Sequence, residues 1–195
     1  MVSAATALTH LKEGNRRFVS GAPTHPRRDD TRRAAQAERQ TPFAAVLGCS
    51  DSRVPPEMLF DQGIGDLFVV RNAGNIADDV ALGSIEYAAR YLQVPLILVL
   101  GHERCGAVTA AVESVESGVQ VGPHIDRLVD AITPAVAKAR SESGGLLENA
   151  IRENVRAMVA KVASSAPVLA PLVQAGKVRV AGAVYGLKSG AVTWL

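Results

Sequence analysis

Two short segments concentrate the reactive side chains of this 195-residue chain: Cys49-Ser-Asp51-Ser-Arg53 and His102-Glu-Arg-Cys105. Between them they hold both cysteines and one of the four histidines. Two thiolates and one imidazole are the borderline-soft donor set that Zn²⁺ prefers. Three protein ligands leave a fourth tetrahedral position for water, which marks a catalytic rather than a structural site. Either motif alone would read as an inert buried cysteine or a polar loop histidine; the Asp-x-Arg beside the first cysteine, and an apolar run before each motif, favour the metal. Asp51 and Arg53 are spaced for a charge-assisted pair, which elsewhere would be a loop salt bridge of little weight. Beside zinc it has a specific use. Two thiolates cancel the charge of the ion, so the metal alone acidifies water less than an all-histidine site would. A carboxylate that accepts a hydrogen bond from that water can aim it. Arg53 would hold Asp51 away from the metal, which Asp51 could otherwise close off as a fourth ligand. His10, His25 and His124 receive no role.

Elements that bring the two motifs together across about fifty residues must lie upstream of each. Phe43–Leu47, Asp66–Arg71 and Pro95–Leu100 are continuous apolar runs, as expected of strands covered on both faces. Helical periodicity covers Asp78–Leu92, Cys105–Ser117, Ile125–Arg140 and Leu146–Ser165, with a short helix near Pro167–Gln174. A last strand fits Lys177–Tyr185 and a small added one Ala191–Leu195. Alternating strands and helices give right-handed crossovers, hence an α/β fold with a mainly parallel central sheet flanked by helices. Ligands of such sheets bind outside the carboxyl ends of the strands, where the topology reverses. The first and third strands would flank that point, so Cys49, His102 and Cys105 converge there.

Ahead of the sheet, Ser3 caps a helix with apolar Ala4, Ala7, Leu8, Leu11, Phe18 and Val19, stopped by Gly21 and Pro23. A polar arm follows to about Gln40, with a short helix from about Thr31. Asp29 and Asp30 interrupt its four arginines (Arg27, Arg28, Arg32, Arg33) and no aromatics interleave, so a solvated or subunit-wrapping arm is expected rather than a nucleic-acid site. The chain reads as one domain over residues 1–195, with the N-terminal helix and arm in 1–40 and a zinc-binding core in 41–195. The helix and arm look dispensable for the sheet and are expected to pack on another subunit.

With 21 Lys+Arg against 19 Asp+Glu, the formal charge is +2, which gives no reason to expect nucleic acid or an anionic membrane as partner. The longest apolar run, Val94–Leu100, is far short of the roughly 20 residues of a membrane span. The N-terminal residues lack the basic start of a signal peptide, and two cysteines are too few for a disulfide scaffold. These features predict a soluble, cytoplasmic protein with a small-molecule substrate.

CSDSRV with GHERCGAV resembles the β-class carbonic anhydrases, and FVVRNAGN (68–75), GSIEYA (83–88) and AGAVYGLKSG (181–190) extend the likeness in family order, from about Leu8 to Leu195. The resemblance implies one Zn²⁺ per chain on Cys49, His102 and Cys105, a catalytic pair of Asp51 and Arg53, and reversible hydration of carbon dioxide to bicarbonate and a proton, a lyase reaction. It implies a homodimer or homotetramer with active sites near the interface. Gln40 stands where some members bind substrate across that interface, although a polar residue ending the short helix would look the same. Gly106 matches the glycine after the last ligand, where a backbone N–H and close approach matter more than a side chain. A subgroup has a non-catalytic bicarbonate pocket of Trp, Arg and Tyr. Arg71 and Tyr185 match it here, but Val46 takes the tryptophan position, so that pocket is not expected. The nearest rival reading is a carbonyl sulfide or carbon disulfide hydrolase on the same fold. A rival of another class is a structural-zinc or redox module without catalysis.

Overall fold

A strand that is apolar at every position, rather than every second one, needs cover on both faces. β1 (Ala44–Cys49) and β3 (Leu96–His102) have it, and every residue of both is buried. They are neighbours in a five-stranded sheet of order β2-β1-β3-β4-β5, with β2 at Leu67–Asn72, β4 at Arg179–Tyr185 and β5 at Val192–Trp194. β1 to β4 run parallel, whereas the short β5 adds antiparallel to β4. This computed structural model describes residues 2–195.

Alternation along β1 divides the core. Ala45, Leu47 and Cys49 face one layer, and Ala44 and Val46 the other. The first layer is covered by α4 (Asp79–Arg90), α5 (Gly106–Ser117), α6 (Pro123–Ala139) and α7 (Leu146–Ser164), through residues such as Ile85, Val108, Ile132 and Val155. The second is covered by α1 (Ala4–Val19) and the single turn α3 (Pro56–Leu59). The short helix α2 (Asp30–Ala35) lies in the arm, and α8 (Leu169–Gln174) precedes β4. Asp78 caps α4 by accepting from the Ala81 N–H, as a short polar side chain does at a helix start. Ser3 accepts from the Thr6 N–H in the same way at α1. Among the described residues no helix is long and apolar enough to cross a membrane.

The N-terminal helix departs from expectation, because it belongs to its own chain's core. Ala7 and Leu11 are completely buried against the second layer. A Cβ at Gly14 would lie 1.7 Å from the Phe60 carbonyl oxygen, so α1 sits closer to the α3 turn than any other residue would allow. Asn15 donates to the carbonyls of Leu59 and Gly190 and accepts from the Val192 N–H, tying α1 to β5. Three of the four arm arginines are likewise fastened to the same chain. Arg27 and Arg32 pair with Asp66, Arg28 donates to the Gln62 carbonyl, and Arg32 also donates to that of Ile64. Arg33 pairs instead with exposed Asp30 of its own short helix.

Asp61 is the most buried anchor of the arm. Its side chain is inaccessible, accepts the N–H groups of Thr24 and His25 and the Thr24 hydroxyl, and pairs with Arg17 at 2.6 Å. Burial alone would raise its pKa, but these donors outweigh burial and hold the carboxyl well below the usual range. The folded state therefore binds this proton less readily than the unfolded chain. The stabilisation is complete above the ordinary carboxylate value near 4 and declines as pH falls below it. Asp61→Asn should lower the unfolding free energy in urea on the order of 3 kcal/mol at pH 7. The gap to wild type should narrow as pH falls from about 4.5 to 2; a gap constant over that range would contradict the role given to the carboxylate.

Candidate metal centre

β1 delivers Cys49 as its last residue, β3 delivers His102 as its last, and Cys105 is the capping residue that opens α5. Their ligand atoms lie within 4.8 Å of one another, and all three residues are buried. The two Sγ atoms are 3.9 Å apart. His102 Nδ1 lies 2.8 Å from the Glu103 carbonyl oxygen, which can accept but not donate, so Nδ1 carries the proton. Nε2 then presents a bare lone pair, and it is a buried atom without a hydrogen-bond partner. A buried acceptor left unpaired is costly; a metal ion among two thiols and this nitrogen removes the cost. The donor set fits zinc.

The electrostatics agree. Hydrogen bonds from the Cys105 thiol and from the N–H groups of Gly74 and Asp51 hold Cys49 below the ordinary thiol range, against the opposing effect of burial. Hydrogen bonding to Cys49, reinforced by burial, pushes Cys105 up instead. Two thiols this close share one negative charge unless a cation allows both to ionise.

Asp51 stands beside the cluster and is engaged by Arg53. Arg53 Nε and Nη2 grip its two oxygens at 2.9 and 2.7 Å, and the Arg53 N–H adds a third bond at 2.9 Å. This grip, above all the guanidinium, holds the carboxyl well below the usual range, so Asp51 is a carboxylate throughout the neutral region. Its Oδ2 lies 3.9 Å from His102 Nε2. The loop that carries it is held by Arg71, whose Nε donates to the Cys49 carbonyl at 2.8 Å and whose Nη2 donates to that of Asp51 at 2.7 Å. Arg71 is thus engaged by the loop, and Val46 is packed in the core.

Gly106 opens α5 directly after Cys105, and a Cβ there would meet nothing within 4 Å. Gln40 is not brought to the cluster within one chain. It precedes β1, whereas Cys49 ends it, and six strand residues at about 3.3 Å each put the two on the order of 15 Å or more apart. Two contributors had no signal in residue type. The Gly74 N–H donates to Cys49 Sγ at 3.4 Å, and Glu103 Oε2 accepts the Leu187 N–H and so ties the His102 loop to the segment after β4. Both lie inside the segments FVVRNAGN and GHERCGAV, yet their contributions are a backbone donor and a loop brace.

Comparison with known proteins agrees with this geometry. Residues 44–192 match the family model described as carbonic anhydrase. Carbonic anhydrase 2 of Mycobacterium tuberculosis is 41% identical over 180 residues, covering 92% of this chain and 87% of that protein. A Coccomyxa β-carbonic anhydrase structure superposes with a TM-score of 0.75 at 28% identity, covering 96% of this chain and 86% of the other. A Sordaria macrospora structure, one of two described as tetrameric β-carbonic anhydrases, shares the fold with a TM-score of 0.75 at 24% identity over 96% of each chain.

If Cys105 is one of three ligands, Cys105→Ser purified under reducing conditions should contain far less than one zinc per chain by elemental analysis. Full occupancy in that variant would remove Cys105 from the ligand set.

Proposed function

Because this chain belongs to the β class of the carbonic anhydrase family, its reaction is the zinc-dependent, reversible hydration of carbon dioxide, and we propose that Cys49, His102 and Cys105 hold the metal while Asp51 and Arg53 form the catalytic pair. The observation that carries the assignment is a three-donor cluster with the nearby carboxylate held off it by Arg53. A structural zinc site would use that carboxylate as a fourth ligand.

When bound, zinc supplies the Lewis acidity that brings the ionisation of water towards neutral pH. Asp51 accepts a hydrogen bond from the attacking water and directs its remaining lone pair at the carbon of CO₂. It can do so at every working pH, because Arg53 keeps it ionised and oriented. The absent side chain at Gly106 leaves space beside Cys105 for substrate, and its N–H, at the first position of α5 where a helix leaves it without an internal acceptor, would donate to a bicarbonate oxygen. The products are bicarbonate and one proton, which must pass to solvent before the next cycle.

We also propose a homodimer or homotetramer in which Gln40 serves the partner's site. Three features support this. The edge strand β2 is half-exposed from Leu67 to Val70, Tyr87 and Tyr91 stand exposed on the adjoining α4 and its cap, and Gln40 is out of reach of its own cluster. Both cysteines are free, with their sulfurs 3.9 Å apart. An oxidising compartment would favour joining them over metal binding, which supports a cytoplasmic location.

Asp51→Ala should keep its zinc and lose CO₂ hydration by about 10²-fold or more in stopped flow; a wild-type rate would contradict the catalytic role. Gln40→Ala should also be impaired. Co-expressing the two impaired chains should restore part of the activity, because one site of each mixed pair then has an intact Asp51 and an intact Gln40. Absence of restoration in isolated mixed oligomers would show that Gln40 does not act across an interface.

A further inference from the structure

The Cys49 sulfur receives a backbone N–H from Gly74, and that donor sits in a turn the backbone would not adopt unaided. Gly74 has φ +82° and Asn75 φ +47°, two consecutive left-handed residues, the second of them not glycine. A Cβ at Gly74 would come within 2.8 Å of Ile132 Cδ1 and 3.1 Å of Ala107 Cβ, so the turn is wedged against α6 and α5. Its flanks are closed by Asn72, whose amide donates to the Ile76 carbonyl and accepts the Ile76 N–H, both at 2.7 Å. The apex is held from one other direction. Asn154, in the middle of α7 and 1% exposed, donates its Nδ2 to the Gly74 carbonyl at 2.9 Å. One helical turn further on, Met158 Sδ accepts the Ala77 N–H at 3.2 Å.

Asn154 is an expensive residue to keep there. Its amide oxygen is buried without a hydrogen-bond partner, and burying an unmatched polar atom costs about 1–3 kcal/mol. The neighbours of Asn154 on the same buried face, Ile151, Val155 and Met158, are apolar. Its one side-chain hydrogen bond goes to the residue whose N–H meets the sulfur.

We infer that Asn154 is a positioning residue of the metal centre, fixing the Gly74 turn so that its N–H is aimed at the Cys49 thiolate. The inference rests on Cys49 being a zinc ligand. Hydrogen bonds to a ligating sulfur draw electron density from it, and partners beyond the ligands commonly set metal affinity by 10–100-fold. Without the Asn154 donor the strained pair at 74–75 relaxes and the N–H leaves the sulfur.

The test compares wild type, Asn154→Ala and Val162→Ala, the last truncating a fully buried α7 side chain about two helical turns beyond Asn154. Zinc affinity is measured by chelator competition, and the thiolate-to-metal charge-transfer absorption is recorded with Co²⁺ in place of zinc. Asn154→Ala should bind zinc about tenfold or more weakly, and its cobalt band should move to lower energy as the sulfur loses a donor. Val162→Ala should move neither. If the alanine variant does not fold, Asn154→Leu fills the space without a donor and is read in the same two assays. Wild-type affinity with an unmoved cobalt band in a folded Asn154 variant overturns the inference. Cys49→Ser separates the two possible failures: wild-type zinc binding by that variant contradicts the metal assignment, whereas loss of zinc there beside an unaffected Asn154 variant contradicts the role of Asn154 alone.

Discussion

The centre exists because β1 and β3 lie side by side and parallel, although β2 separates them in the chain. From β1 the backbone crosses outward to β2 at one edge, then returns past β1 to β3 on its other side. The loops that leave the carboxyl ends of β1 and β3 therefore diverge, and the crevice between them is where a parallel sheet can admit a ligand. Ala45 to Gly48 register with Ile97 to Leu100, which brings the strand ends level and sets Cys49 beside the segment 102–105. Everything else in the site is adjustment of side chains that this pairing has already brought within a few ångströms. The pairing holds because both strands are apolar on both faces, so neither can slip or leave without exposing a row of Val, Leu and Ile residues.

On that scaffold the charges are arranged so that each has one assigned partner. The two thiols and His102 Nε2 face one another, and Asp51 is paired with Arg53. Arg71 spends its guanidinium on two carbonyls of the loop that carries Asp51. The arrangement opposes a simple electrostatic preference, since a carboxylate 3.9 Å from the cluster would bind a cation there if it were free to turn. Three hydrogen bonds from one arginine engage that carboxylate instead. The same logic runs in the arm, where Asp61 and Asp66 are buried carboxylates satisfied by arginines and backbone donors of the N-terminal segment.

The sheet, its order of helices and the convergence of Cys49, His102 and Cys105 were readable from the sequence because each rests on a pattern of residue type. Continuous apolar runs marked β1, β2 and β3 to within two residues, and both cysteine motifs follow such runs. Asp78 at the start of α4 and Ser3 at the start of α1 behave as their chemistry dictates. The features that escaped depend on space or on backbone, which residue types encode weakly. Gly14 gives no hint that α1 will sit against the Phe60 carbonyl, so α1 reads as a detachable arm when it is part of the core. The arginines of residues 27–32 look solvated until Asp66 and the Gln62 carbonyl come to meet them. The single turn α3 is too short for periodicity, and the Gly74 donor belongs to the main chain. Gln40 shows the opposite case, because its meaning depends on a second chain and no pattern within one chain can place it.

The most direct measurement is stopped-flow CO₂ hydration by the zinc-loaded protein from about pH 6.5 to 9. The account predicts turnover well above the uncatalysed rate, removed by a chelator and restored by zinc. No hydration at any pH in that range, with one zinc per chain verified, would contradict it.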